Sequence, residues 1–242
     1  MNRLYKITIL ILFVLMVQTA RQTVFCQRIS AGISGTASVE ISERWTGLVE
    51  LTSSFDKYKG YSHWGKVMCG ATFKVYDGIT AFGCASLALS DYYGTTNEER
   101  IMELVEGVIF HTKSGFEHQL YVDQRRLNFR PSNMTINSSR FGYTLYRRVA
   151  LPRERWTLVP YGACVVNIKS EVASCDILQR VKLGSAVEYR LRDLTRVGLR
   201  YIYMFGGEEQ TYMGDSHNLH VISLFVGLGG VSGNKAAKME KL

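Results

Sequence analysis

The chain has 242 residues, enough for one large domain, and no break in composition marks a second. Three prolines and 46% hydrophobic residues without long apolar runs exclude low-complexity sequence and a bundle of membrane helices. The net charge of +8 is spread along the chain and not gathered in one stripe, which argues against a nucleic-acid-binding surface.

Residues 1–26 read as a secretory signal. Arg3 and Lys6 precede an apolar run from Ile7 to Val17, shorter than the ~20 residues of a spanning helix. Val24 and Cys26 stand at −3 and −1 of a cleavage before Gln27. The rival reading makes Cys26 the acylated residue of a lipoprotein, although Phe25 is bulky for such a site. Cleavage removes Arg3, Lys6 and Arg21 and no acid, so +8 becomes +5. Residues 27–44 alternate weakly through Ile33, Ala37, Val39 and Ile41, and are read as a tail or a segment that closes nothing.

From residue 45 to 228 the period is two residues, which predicts strands. They are expected at Trp45–Ser53, Trp64–Val75, Ile79–Ser90, Arg100–His111, Phe116–Phe129, Arg140–Ala150, Trp156–Val166, Asp176–Leu191, Thr195–Phe205 and His217–Leu228. Residues 96–107 also fit a helix, because Thr96 with Glu99 makes a capping box and Gly107 a terminal glycine. The strand reading is preferred for Val108, Ile109 and Phe110. Phe116–Phe129 alternates best, and the hairpin from Asp176 to Phe205 shows the same pattern except at Ile202 and Met204. In the hairpin, Val181, Leu183, Val187, Leu191, Val197 and Leu199 take one face; Arg180, Lys182, Glu188, Arg190, Arg196 and Arg200 take the other.

Connections sort by end. Those at Tyr76–Gly78, Thr112–Gly115, Leu151–Arg155 and Arg192–Leu194 are short. Those at Asp56–His63, Asp91–Glu99, Arg130–Ser139, Asn167–Cys175 and Gly206–Ser216 are long. Outer-membrane barrels are built this way, with tight turns in the periplasm and long loops outside. The prediction is all-β: a single antiparallel up-and-down transmembrane barrel of about ten strands, within a range of 8–12. Both chain ends would then lie in the periplasm, with residues 229–242 a flexible tail.

Several segments resemble an uncharacterised outer-membrane family of Bacteroidota, domain of unknown function family 2490. They are residues 118–126 (HQLYVDQRR), 140–147 (RFGYTLYR), 176–184 (DILQRVKLG) and 187–191 (VEYRL), then Leu199-Arg200-Tyr201. The resemblance implies a barrel in a Gram-negative outer membrane and no assigned activity. The chain departs from usual barrels in lacking a terminal aromatic, since Phe225 is followed by a long tail.

The residues expected to face the lumen are Glu117, Asp123, Arg125, Arg140, Arg148, Arg180, Lys182, Glu188, Arg190, Arg196 and Arg200. Two readings compete: a lumen packed with opposite charges in pairs, or a narrow channel that prefers anions because basic residues outnumber acids. A third alternative is a soluble exported barrel of the lipocalin kind, with the oily face inward. An enzyme would need a Ser, His and acid set, and nothing in the spacing of His63, His111, His118, His217 and His220 selects one. No catalytic residue, cofactor or metal is expected. Outer-membrane lipid is the expected partner, and nucleic acid is not.

Cys69 with Cys84, and Cys164 with Cys175, bracket candidate hairpins and are read as disulfides or as small apolar residues. Trp45, Trp64, Trp156, Tyr76, Tyr92, Tyr93 and Tyr203 are candidates for an interfacial aromatic girdle. The sequons at Asn133 and Asn137 are read as chance matches in a polar loop.

Overall fold

The computed structural model describes residues 28–56, 62–92, 98–130, 132–152, 155–170, 178–192, 195–205 and 219–229. The expected signal, the C-terminal tail beyond residue 229, Asp176 and Cys175 lie outside them. Twelve strands run in chain order: β1 Arg28–Glu40, β2 Trp45–Asp56, β3 Ser62–Tyr76, β4 Ile79–Tyr92, β5 Glu98–His111 and β6 Phe116–Arg130. There follow β7 Met134–Arg147, the two-residue β8 Val149–Ala150, β9 Trp156–Ser170, β10 Leu178–Arg192, β11 Thr195–Phe205 and β12 Leu219–Leu228. Each long strand pairs antiparallel with the next, β7 pairs with β9, and β12 pairs with β1, so the sheet closes. The wall holds eleven strands; β8 only prolongs the ladder beside β9.

Residues 28–40 are therefore part of the wall and not a tail. Ser42 makes the turn that folds them back. Its hydroxyl accepts from the Arg44 and Trp45 amides, and its carbonyl accepts again from the Trp45 amide. Ile33 and Val39 then face outward, while Ser30 and Ser34 are buried inside. An odd number of strands also changes the topology. In a closed up-and-down barrel it forces the first and last strands to run parallel, as β1 and β12 do from Arg28↔Leu219 to Ala37↔Leu228. The chain thus enters the wall at the end of the longer connections and leaves it at the end of the tight turns. The first and last strands of the described wall therefore begin and end on opposite sides of it.

Two other expectations are corrected. Arg130–Ser139 is not a long loop: β6 and β7 pair up to Phe129↔Met134, and Asn133 turns the chain with φ 53°. The strand Arg140–Ala150 begins earlier, at Met134, and its end is broken off as β8. The ambiguous stretch is strand from Glu98 to His111, paired on both sides. At the opposite end the tight turn after Tyr76 uses Gly78 with φ 83°, a left-handed conformation that glycine adopts without steric cost.

Inside, four glycines stand directly across a strand pair from an aromatic ring: Gly107 from Phe82, Gly142 from Tyr121, Gly184 from Tyr161 and Gly198 from Phe225. A Cβ on any of the four would overlap that ring, so the ring occupies the space a side chain would take. Two apolar clusters complete the filling. Ala88, Ile101, Leu127 and Phe129 gather near the long-connection end with Trp64, Met134 and Ile136; Val159, Ala186 and Phe225 gather with Tyr146.

Candidate functional site

The site follows from the direction of the side chains. Leu183 and Leu199, the core of the oily hairpin face, are 52% and 51% exposed on the outer wall. Val187 and Tyr201 stand in the same outward rows, across from Leu199 and Ser185. Leu51, Val67, Leu87, Leu104, Val122, Phe141 and Leu224 are exposed on other strands. The polar parity is the hidden one: Asp123, Arg140 and Glu188 are each buried. A water-soluble carrier needs the reverse arrangement, because exposed apolar surface of this extent is unfavourable in water. This is a β-barrel of the outer-membrane type.

No protein-family model matches the chain, and no curated protein does. Among solved structures the chain is similar to the beta domain of the Bordetella autotransporter BrkA. The identity is 21%, the match covers 77% of this chain and 82% of that chain, and the TM-score is 0.40.

The interior charges form two groups. In the first, the Glu103 carboxylate on β5 accepts from Lys66 Nζ at 2.7 Å on β3 and from Ser86 Oγ at 3.0 Å on β4, and forms an ion pair with Arg125 on β6, whose Nε lies 2.7 Å away. Arg140 on β7 approaches it at 3.5 Å and also pairs with Asp123 on β6. Five consecutive strands are thus tied along the inner wall through one carboxylate. In the second group Glu188 on β10 receives Arg148 at 2.7 Å and Arg196 of β11 at 3.3 Å. Such pairs satisfy charges that would be costly if buried alone.

The other expected lumen residues are placed as follows. Glu117 lies beside Tyr146, to which it is hydrogen bonded, and 3.4 Å from His111. Arg200 lies over the Phe225 ring, 5.2 Å from its centroid. Arg190 stands opposite Arg196 in the ladder. Lys182 has Arg180, Arg140 and Lys66 as its charged neighbours of like sign and Glu103 as the one of opposite sign. Lys66 and Lys182 come from strands on opposite sides of the lumen.

Glu103, Lys66 and Ser86 were missed by the sequence reading. Glu103 lies in the segment where helix and strand competed, and both of its faces carry apolar residues. The available signal was its parity with Ile101 and Val105. Cys69 and Cys84 do not pair: Cys69 is exposed outside and Cys84 is buried inside, both free. Cys164 is free as well.

The described histidines occupy three separate places. His118 bonds Tyr143 at 2.9 Å on the outer wall, His220 bonds Tyr201 at 2.7 Å, and His111 is the neighbour of Glu117. His217 and the side chain of His63 lie outside the described residues. Of the proposed girdle, Trp45 meets Phe73 at 4.8 Å and Trp156 meets Tyr189 at 4.9 Å in tilted ring contacts, both at the tight-turn end. Tyr76 is 71% exposed there. Trp64 instead packs inside the barrel. Thr135 and Asn137 of the two sequons lie in β7 and not in a loop.

Proposed function

We propose that this protein is an integral barrel of the outer membrane with a braced interior, serving a structural or surface-interaction role and no catalysis. The reading rests on one observation: the oily rows point outward and the charged rows are sealed within. Residence in a Gram-negative outer membrane after signal cleavage, with lipid as neighbour, is part of the same proposal. So is kinship with domain of unknown function family 2490, which stands on the strand motifs quoted above. Extraction tests it. The mature protein should require detergent, and its folded form should migrate differently from the boiled form on a gel. A monodisperse protein in buffer without detergent would oppose the reading and favour a carrier of the lipocalin kind.

A narrow anion-preferring channel is the second reading, supported by Lys182. Among the described residues its ammonium has no hydrogen-bond or ion-pair partner, and its charged neighbours are mostly basic. Planar-bilayer recordings separate the two. The braced barrel gives no conductance steps; the channel gives anion-selective steps that Lys182→Met reduces.

A further inference from the structure

Two rows of outward-facing residues change character at β6. The first runs Leu51–Val67–Leu87–Met102–Arg126–Asn137 from β2 to β7. The second runs Val49–Cys69–Ala85–Leu104–Gln124–Ser139–Lys169 from β2 to β9. Each is apolar through β5 and polar beyond it. Directly below on β6 and β7 the wall is oily again, with Val122 under Gln124 and Phe141 under Ser139, both exposed, while on β5 the exposed Glu106 lies under Leu104. Strands of such a barrel tilt, so these rows run obliquely to the membrane normal and leave the apolar band along their length. The boundary is crossed on β6, β7 and β9, on the side of the longer connections.

A groove of ≈ 490 Å³ opens at this boundary. Met102 and Leu104 form its lower edge; Gln124, Asn137 and Ser139 form its floor, with Arg126 and Lys169 exposed beside them. Its single acid, Glu103, is turned into the lumen and engaged with Lys66 and Arg125. What opens to the outside is therefore two cations and several hydrogen-bonding groups above an oily ledge. An amphipathic anion matches that order: acyl chain on the ledge, phosphate on the cations.

We propose that this groove binds the phosphorylated head group of a lipid in the outer leaflet. The proposal rests on the membrane reading above. The lipid's phosphate oxygens accept from the Arg126 guanidinium and the Lys169 ammonium, while its chains lie along Leu104, Met102 and Val122.

The test uses the purified barrel in nanodiscs, probed with lipid A bearing two phosphates, with its dephosphorylated form and with inorganic phosphate. Retained lipid is read by native mass spectrometry. Wild type should hold the diphosphorylated lipid. Arg126→Gln and Lys169→Gln should each weaken it roughly 5-fold, and together about 30-fold. Arg44→Gln, in the turn at the opposite end, should leave binding unchanged. Equal retention by the double variant, or of the dephosphorylated lipid, would overturn the site. So would an equal loss in Arg44→Gln, or saturation by inorganic phosphate alone. Incorporation into the nanodisc is scored first. If the barrel fails to incorporate, the membrane reading falls and the site with it; if it incorporates and binding is indifferent to the variants, only the site falls.

Discussion

Cys69 and Cys84 stand on adjacent strands, one step apart in the same ladder, since Cys69 faces Ala85 and Gly70 faces Cys84. One thiol is exposed between Val49, Val67 and Ala85 on the outer wall; the other is buried in the lumen. Moving one residue along the strand takes a side chain from the lipid side to an interior held by carboxylates and guanidinium groups. Outer wall and lumen of this barrel therefore tolerate opposite substitutions. Charge is what the lumen holds in pairs, whereas the outer wall is mostly apolar and carries isolated charges such as Glu106 and Arg126.

The largest expected break in that contrast is Glu103→Ala. It leaves Lys66, Arg125 and Arg140 without their shared carboxylate, and removing one partner of a buried pair costs about 3–5 kcal/mol. Denaturant titration of the folded barrel in a bilayer should record that loss, with Glu103→Gln recovering part of it. Next comes the reciprocal change on the wall. Leu183→Arg or Leu199→Arg places a charge in the apolar band and should destabilise by about 2–4 kcal/mol in the same titration. Gly198→Ala sharpens the picture of the lumen filling. The added methyl meets the Val187 carbonyl oxygen as well as the Phe225 ring, so ring and backbone must both shift, and it should cost about 1–3 kcal/mol. The smallest effect belongs to the polar corner of the outer wall. Arg126→Gln with Lys169→Gln should change stability by less than about 0.5 kcal/mol, whatever it does to lipid binding.

The contrast also explains what the sequence made legible. The β10–β11 hairpin alternates cleanly, because its outer face lies in the oily band and its inner face in the ionic lumen; period and parity together place it. The first half of β7 was lost for the opposite reason. Thr135, Asn137 and Ser139 face outward above the band while Met134 and Ile136 pack inside, so the alternation is inverted relative to the oily-out strands and, with its polar residues, the stretch reads as a loop. Residues 28–40 were lost through their small side chains: Gly32, Ser34, Gly35 and Ala37 give too little amplitude for an alternation. What holds them in place is the Ser42 turn and pairing to β2 and β12, which no local pattern announces. The ionic cluster was half legible. Asp123, Arg125 and Arg140 come from regular strands, whereas Glu103 lies where apolar residues crowd both faces. Its partner Lys66 is its neighbour only because β3, β4 and β5 are adjacent in the wall.

The direction of the oily rows is best measured by a spin label on Leu199→Cys in a cysteine-free background, with the barrel in a bilayer. Collision with dissolved oxygen should exceed collision with a water-soluble nickel chelate by a wide margin, as for a side chain against lipid. A label shielded from both reagents, or reached mainly by nickel, would mean that Leu199 lies in an interior or in water, and would contradict the account.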